Sequence, residues 1–223
     1  ENSAKRIIAS DEWVLNLRLD SESYFNYSTT VGRKNHASNT LDSYDTPRLI
    51  DLNNNLSIVT NLDGLKTNSY IRDIRSTEDF NGVWDLRIES ESDENMILFS
   101  GLFEGPTSKD LHVSIVDIQK RAIEYDFPGS SIEIQHKTSL SYDFKLVAGD
   151  LDYVIQKSEN ILENIPEEYA LSQNYPNPFN PITKMNYQLP KRSRVIISIY
   201  NVVGQEVRTL LNEDQDYGVH SIT

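Results

Sequence analysis

The residues of this chain best suited to proton transfer or metal ligation near neutral pH are four histidines, at positions 36, 112, 136 and 220. No two of them stand at metal-ligand spacing. His112 and His136 alternate with strand-type residues and read as surface positions, whereas His36 has Asp42 and Asp45 close by in sequence. The chain has no Cys, which removes thiolate nucleophiles, disulfides and zinc–cysteine sites together. No Gly-x-Ser-x-Gly elbow, phosphate-binding glycine loop or His-Glu-x-x-His helix occurs. Carboxylates are abundant enough to raise a glycosidase pair. Those that stand near one another (Glu78 with Asp79, Glu89 with Glu91, Asp93 with Glu94, and Asp85 alone) lie mostly in turn-like clusters such as "ESESDEN". Such clusters are ordinarily a solvated face, so the expectation is a protein that is not an enzyme.

Hard oxygen ligands are better represented than catalytic ones. Asp42 and Asp45 in "LDSYDTP", with Asp51, Asn53 and Asn55 in "DLNNN", supply the donors calcium prefers. They do not form the twelve-residue EF-hand pattern, and the same Asp and Asn residues would equally serve as turn caps. Tyr24, Phe25, Tyr27 and Tyr44 border the same region, where exposed rings and amides would suit a sugar. Trp13 and Trp84 stand at inward positions of strong strand patterns and read as core.

The elements that would hold these residues are strands. "WVLNLRL" sets Trp13, Leu15, Leu17 and Leu19 on one face, and "VWDLRI" does the same with Trp84, Leu86 and Ile88. "LHVSIVDI" aligns Leu111, Val113 and Ile115; "SYDFKLV" aligns Tyr142, Phe144 and Leu146. Shorter strands are predicted at Leu56–Val59, Tyr70–Ile74, Met96–Ser100, Ala122–Phe127 and Ile132–His136. Many short strands divided by turn clusters predict an antiparallel sandwich. The stretch from Asn26 to Asn55 lacks a strong strand signal and reads as a long loop. Tyr153–Ile165 could place Val154, Ser158, Ile161 and Ile165 on one helical face, but with Pro166 following it is read as a last strand and a linker.

Charge divides the chain in two. Residues 1–165 carry 16 Lys+Arg against 28 Asp+Glu, and residues 166–223 carry 5 against 6, within a total of −13. A sequence this acidic lacks the basic footprint that nucleic acid or an anionic membrane requires. No apolar run approaches the roughly 18 residues of a membrane span. The prediction is an all-β protein of two antiparallel, Ig-like β-sandwich domains, residues 1–165 and 166–223, the second incomplete.

The second segment contains "YALSQNYPNPFNP", then "ITKMNYQLP", then "RVIISIYNVVGQEVRTLL" and "YGVHSIT". Prolines with intervening Asn make a stiff loop in which Tyr175 and Phe179 could be pinned on a sheet; Asn201 and Gly204 suit a tight turn. The segment resembles the C-terminal sorting domain (type A) of the bacterial type IX secretion system. The residues that carry the resemblance are Tyr175, Pro176, Asn177, Pro178, Phe179, Asn180, Pro181 and Gly204. The resemblance implies recognition by the type IX secretion machinery, a leader removed before arrival, and a secreted or cell-surface location. That family's sandwich continues past the point where this sequence stops at Thr223; a missing strand would leave an open sheet edge for pairing with other copies. The first segment resembles, more weakly, a β-rich domain placed before such sorting domains, which implies architecture and no activity.

These readings together predict a secreted, non-enzymatic structural protein that self-assembles into a filament, tube or layer. Alternatives are a surface adhesion or carbohydrate-binding module whose partners are surface glycans, and a non-catalytic part of a larger secreted enzyme. No cofactor is required, calcium being the one candidate.

Overall fold

The computed structural model describes residues 12–22, 25–47, 56–61, 70–90, 96–135 and 140–223. The fold is all-β and of sandwich type, with one short helix among the described residues. The chain divides into two compact units, Glu1–Asn160 and Ile161–Thr223.

In the first unit one mixed sheet runs in the order β10 (Ile132–Gln135), β7 (Met96–Phe103), β1 (Trp13–Asp20), β2 (Phe25–Lys34), β5 (Tyr70–Ser76), β4 (Leu56–Asn61), β6 (Gly82–Ser90), β11 (Leu140–Gly149), β8 (His112–Asp117) and β9 (Ala122–Glu124). The short β3 (Thr46–Pro47) adds to β5. This sheet closes over its own apolar face. β1 and β6 are separated on the path by β2, β5 and β4, yet Trp13 and Trp84 meet edge to face with ring centroids 5.3 Å apart. Phe99 on β7 likewise lies 5.1 Å from Phe144 on β11. The core between the two layers takes alternate residues from each: Leu15, Leu17 and Leu19 from β1, Leu86 and Ile88 from β6, Val113 and Ile115 from β8. The period-2 patterns therefore point as expected, and each fully buried side chain of this size contributes about 1.5–3 kcal/mol.

Three expectations are corrected. The segment from Asn26 to Asn55 is not one long loop, because β2 and β3 form within it. Its β-branched run Thr29, Thr30, Val31 favours a strand, but the inward series Thr29, Val31, Arg33 is not apolar, which hides the period. Second, the sheet is not wholly antiparallel: β2 runs parallel to β5, with Arg33 opposite Arg75. The chain between Lys34 and Tyr70 is long enough to return across the sheet, as a parallel pair requires. Third, Tyr153–Ile165 is not a strand and linker. Its residues up to Glu163 belong to α1 (Leu151–Glu163), capped by Asp150, whose Oδ1 accepts the Tyr153 N–H at 2.9 Å. Val154 and Ser158 are buried on the stripe the sequence offered, and the Ser158 hydroxyl bonds that of Ser114 on β8 at 2.7 Å. The contact-defined boundary accordingly falls inside the last turn of α1 rather than after Ile165.

The second unit has two small sheets. One orders β12 (Ala170–Leu171), β13 (Met185–Leu189) and β16 (Gly218–Ile222); the other is the hairpin of β14 (Ser193–Tyr200) and β15 (Glu206–Gln215). On β13 the alternate residues Tyr187 and Leu189 are buried. Tyr187 stacks on His220 of β16 at 5.2 Å.

Candidate assembly surface and the predicted sites

The Asp42–Asp45 turn is held by its own backbone. Asp42 accepts the N–H groups of Ser38 and Tyr44, the latter at 2.6 Å. Asp45 is buried; its Oδ2 accepts the Asp42 N–H at 2.9 Å and its Oδ1 the Ile74 N–H on β5 at 3.1 Å. Burial raises the Asp45 carboxyl above the ordinary range, opposed by those two backbone bonds. These carboxylates thus act as turn caps that lay the segment on β5, where Val14, Ala37 and Ile74 form a small apolar cluster with Tyr44 packed on it. Asp51, Asn53 and Asn55, the other predicted calcium donors, lie outside the described residues. Among the described residues no group of three His, Asp or Glu side chains is placed to hold a metal. Tyr44 packs on this cluster and is partly buried, and Tyr24 lies outside the described residues, as do the side chains of Phe25 and Tyr27.

The three described histidines are not gathered. His36 is exposed in a turn with φ 69°, and His112 is exposed on β8. His136 lies outside the described residues. His220 bonds the Asp216 carbonyl through Nε2 at 2.7 Å. The carboxylates are dispersed too. Asp85 pairs with Lys145, and Asp79 accepts the Asn39 side-chain amide at 3.3 Å. Glu91, Asp93 and Glu94 fall outside the described residues.

Sequence reading missed a buried cationic cluster. The guanidinium groups of Arg33 and Arg75 both lie over the Trp84 ring, at 5.4 and 4.7 Å. Arg75 is bidentate to Asp73, both bonds 3.0 Å, and donates to the Val83 carbonyl at 2.8 Å. Arg33 donates to the carbonyls of Ser76 and Asn81. Burial, then the charge of Arg75, lowers the Arg33 pKa from its usual value. The cluster ties β2, β5 and β6 together, with Arg33 and Asp73 buried and Arg75 partly so, and acts as a structural pin. Its only sequence signal was a charge at each inward position, which period-2 reading discards.

In the second unit the proline loop is closed at its base by reciprocal bonds between Tyr175 and Lys184, 2.9 and 3.0 Å. Thr183 donates to the Pro176 carbonyl at 2.9 Å and accepts from Asn174 at 3.1 Å. The expectation that Tyr175 and Phe179 are pinned on a sheet is corrected: they are 80% and 59% exposed. Pro176, Asn177, Pro178, Asn180 and Pro181 are exposed with them. The bonds to Thr183 and Lys184 hold the loop from its base, which leaves the rings free to project.

The β14–β15 turn forms as read. Asn201 Oδ1 accepts the N–H groups of Val203 and Gln205, each at 3.0 Å, and Gly204 takes φ 79°. Val202 and Val203 stand at its tip, 104% and 74% exposed. Along the hairpin, Val195 and Ile197 oppose Glu213 and Leu211 on one face, while Ile196 and Ser198 oppose Asn212 and Thr209 on the other. On the second face Ile196 stands between polar contacts: Arg194 bonds Asn212 at 3.1 Å, and Ser198 bonds Thr209 at 3.2 Å. Register shifts leave Leu210 and Val207 without opposite numbers on β14, two bulges in β15. Ile196, Val207 and Val219 are exposed, as is Leu171 on β12. The unit thus offers open strand edges and more exposed apolar side chains than buried ones.

No helix among the described residues is long and apolar enough to cross a membrane. Scans of family models, of curated proteins and of solved structures find no match to the chain.

Proposed function

We propose that the chain is a non-enzymatic structural subunit of the cell surface, exported by a type IX-like route, that assembles with copies of itself into a filament, tube or layer. The carrying observation is the second unit, with its two small sheets, open edges and the exposed apolar residues Leu171, Ile196, Val202, Val203, Val207 and Val219. Apolar side chains exposed on strands and at a hairpin tip suit a surface that pairs, and unpaired strands are templates for further strands. The proline loop, held rigid with Tyr175 and Phe179 presented to solvent, suits recognition by the secretion machinery. Negative-stain electron microscopy of the secreted protein, with and without a calcium chelator, tests this reading. Ordered filaments or tubes support it, and their loss on chelation would show that assembly needs a divalent cation. Monodisperse particles in both conditions overturn it.

A second reading, adhesion to surface glycans, is favoured by the exposed rings of Tyr169, Tyr175 and Phe179. A glycan screen in which Tyr175→Ala abolishes binding would support it.

A further inference from the structure

We propose that the pairing edge is β15, and that two copies of this chain join by laying their β15 strands antiparallel about a two-fold axis between Leu210 and Leu211. The proposal rests on the self-assembly reading and names its contact. β15 belongs to a two-stranded sheet, so its outer edge meets no other strand of the described chain. An isolated two-stranded ribbon is marginal in water, and added strands stabilise it.

The middle of this edge, Arg208–Glu213, is complementary to itself. Around the axis, the run Arg208-Thr209-Leu210-Leu211-Asn212-Glu213 sets Arg208 opposite Glu213 of the second copy. Thr209 then faces Asn212, and Leu210 faces Leu211. Two-fold symmetry makes each pairing twice. The faces agree as well. Within the hairpin Arg208 and Glu213 oppose Ile199 and Val195, while Thr209 and Asn212 oppose Ser198 and Ile196. Residues that would meet across the axis therefore project to the same side, as a ladder requires. Leu210, the extra residue of one bulge, falls at the axis and faces an apolar neighbour.

The Arg208 side chain is exposed and has no hydrogen-bond or ion-pair partner among the described residues, and Glu213 accepts only from the Gln215 side-chain amide beside it. Its charge is available to a second copy. The other edge fails the same test: paired with itself, β14 would set Arg194 against Ile199, and β14 has no acidic residue. Arg194 is also engaged, with Asp214 at 3.7 Å and with Asn212. The distribution of charge favours contact here, since residues 166–223 hold 5 Lys+Arg against 6 Asp+Glu. The strongly acidic remainder repels its like.

Sedimentation of the full chain over a concentration series at low ionic strength tests this, with circular dichroism to verify folding. Arg208→Glu and Glu213→Arg are each expected to weaken association by about tenfold or more, because each sets like charges opposite one another twice. An equimolar mixture of the two variants is expected to associate again, as is the double variant, since both restore opposite charges across the axis. Variants that associate as tightly as the parent overturn the β15 edge while leaving self-assembly standing. Weakened variants that do not recover on mixing overturn the register. A parent chain that is monomeric throughout overturns self-assembly, and this edge with it.

Discussion

Asp117 and Tyr142 show how far a pair of side chains can tune stability. The phenol donates to both carboxylate oxygens at 3.0 Å, and Asp117 also accepts the Lys120 N–H at 2.8 Å. Burial raises the Asp117 carboxyl above its ordinary value, opposed by those bonds. Burial, then the Asp117 charge, raises the Tyr142 phenol. In both cases the folded chain keeps its proton to higher pH than the unfolded chain does. Stability therefore falls as pH rises through the Asp117 window above about 4, and again above the ordinary tyrosine value of about 10. Chemical denaturation between about pH 9 and 11 should show the wild type losing stability and Tyr142→Phe losing less. A residual fall is expected from Tyr153, whose phenol is also raised by burial. Gly32 is decided by space alone. A Cβ there would lie 2.2 Å from the Trp13 carbonyl oxygen, so Gly32→Ala must push β2 from β1. Its cost is expected to be about 1–3 kcal/mol in urea unfolding.

At the scale of elements, α1 rests on a polar contact within its buried stripe. Ser114 and Ser158 are both fully buried, and each hydroxyl satisfies the other. Ser158→Val leaves the Ser114 hydroxyl without a partner in an apolar setting and is expected to cost about 1–3 kcal/mol by thermal or urea unfolding. Replacing both by Ala should cost less than the sum of the two single changes. The strands of the first unit were legible because Trp84, Leu86 and Ile88 alternate cleanly with Val83, Asp85 and Arg87. β2 was not, because its inward face carries Thr29 and Arg33. A charged residue at a core position can be read only once Trp84 and the Ser76 and Asn81 carbonyls are known to receive it. α1 had its stripe in the sequence, but the proline at 166 favoured an extended segment over it.

For the whole molecule, the two units should differ in persistence. The first surrounds a continuous core from Trp13 to Ala148, whereas the second buries few apolar side chains, Tyr187 and Leu189 among its strands. Hydrogen exchange should therefore be slowest in β1, β6 and β11 and faster in β14 and β15. On association, protection should rise in β15 more than in β14; equal protection before and after would argue against an edge contact. The site was partly legible in the same sense. The proline loop and the turn at Gly204 were visible from residue types, since Pro, Asn and Gly constrain the backbone locally. The exposure of Tyr175 and Phe179 was not, because it depends on whether any surface lies beneath them.

The inward faces of the regular strands, the acidic first segment, the proline loop and the turn at Gly204 were legible from residues close together along the chain. Tertiary structure alone decided that the sheet doubles over so that Trp13 meets Trp84. It also decided that β2 lies parallel to β5, that Asp45 accepts the Ile74 N–H, and that β15 is an edge. Each of these depends on which distant segments become neighbours, and local pattern does not encode that.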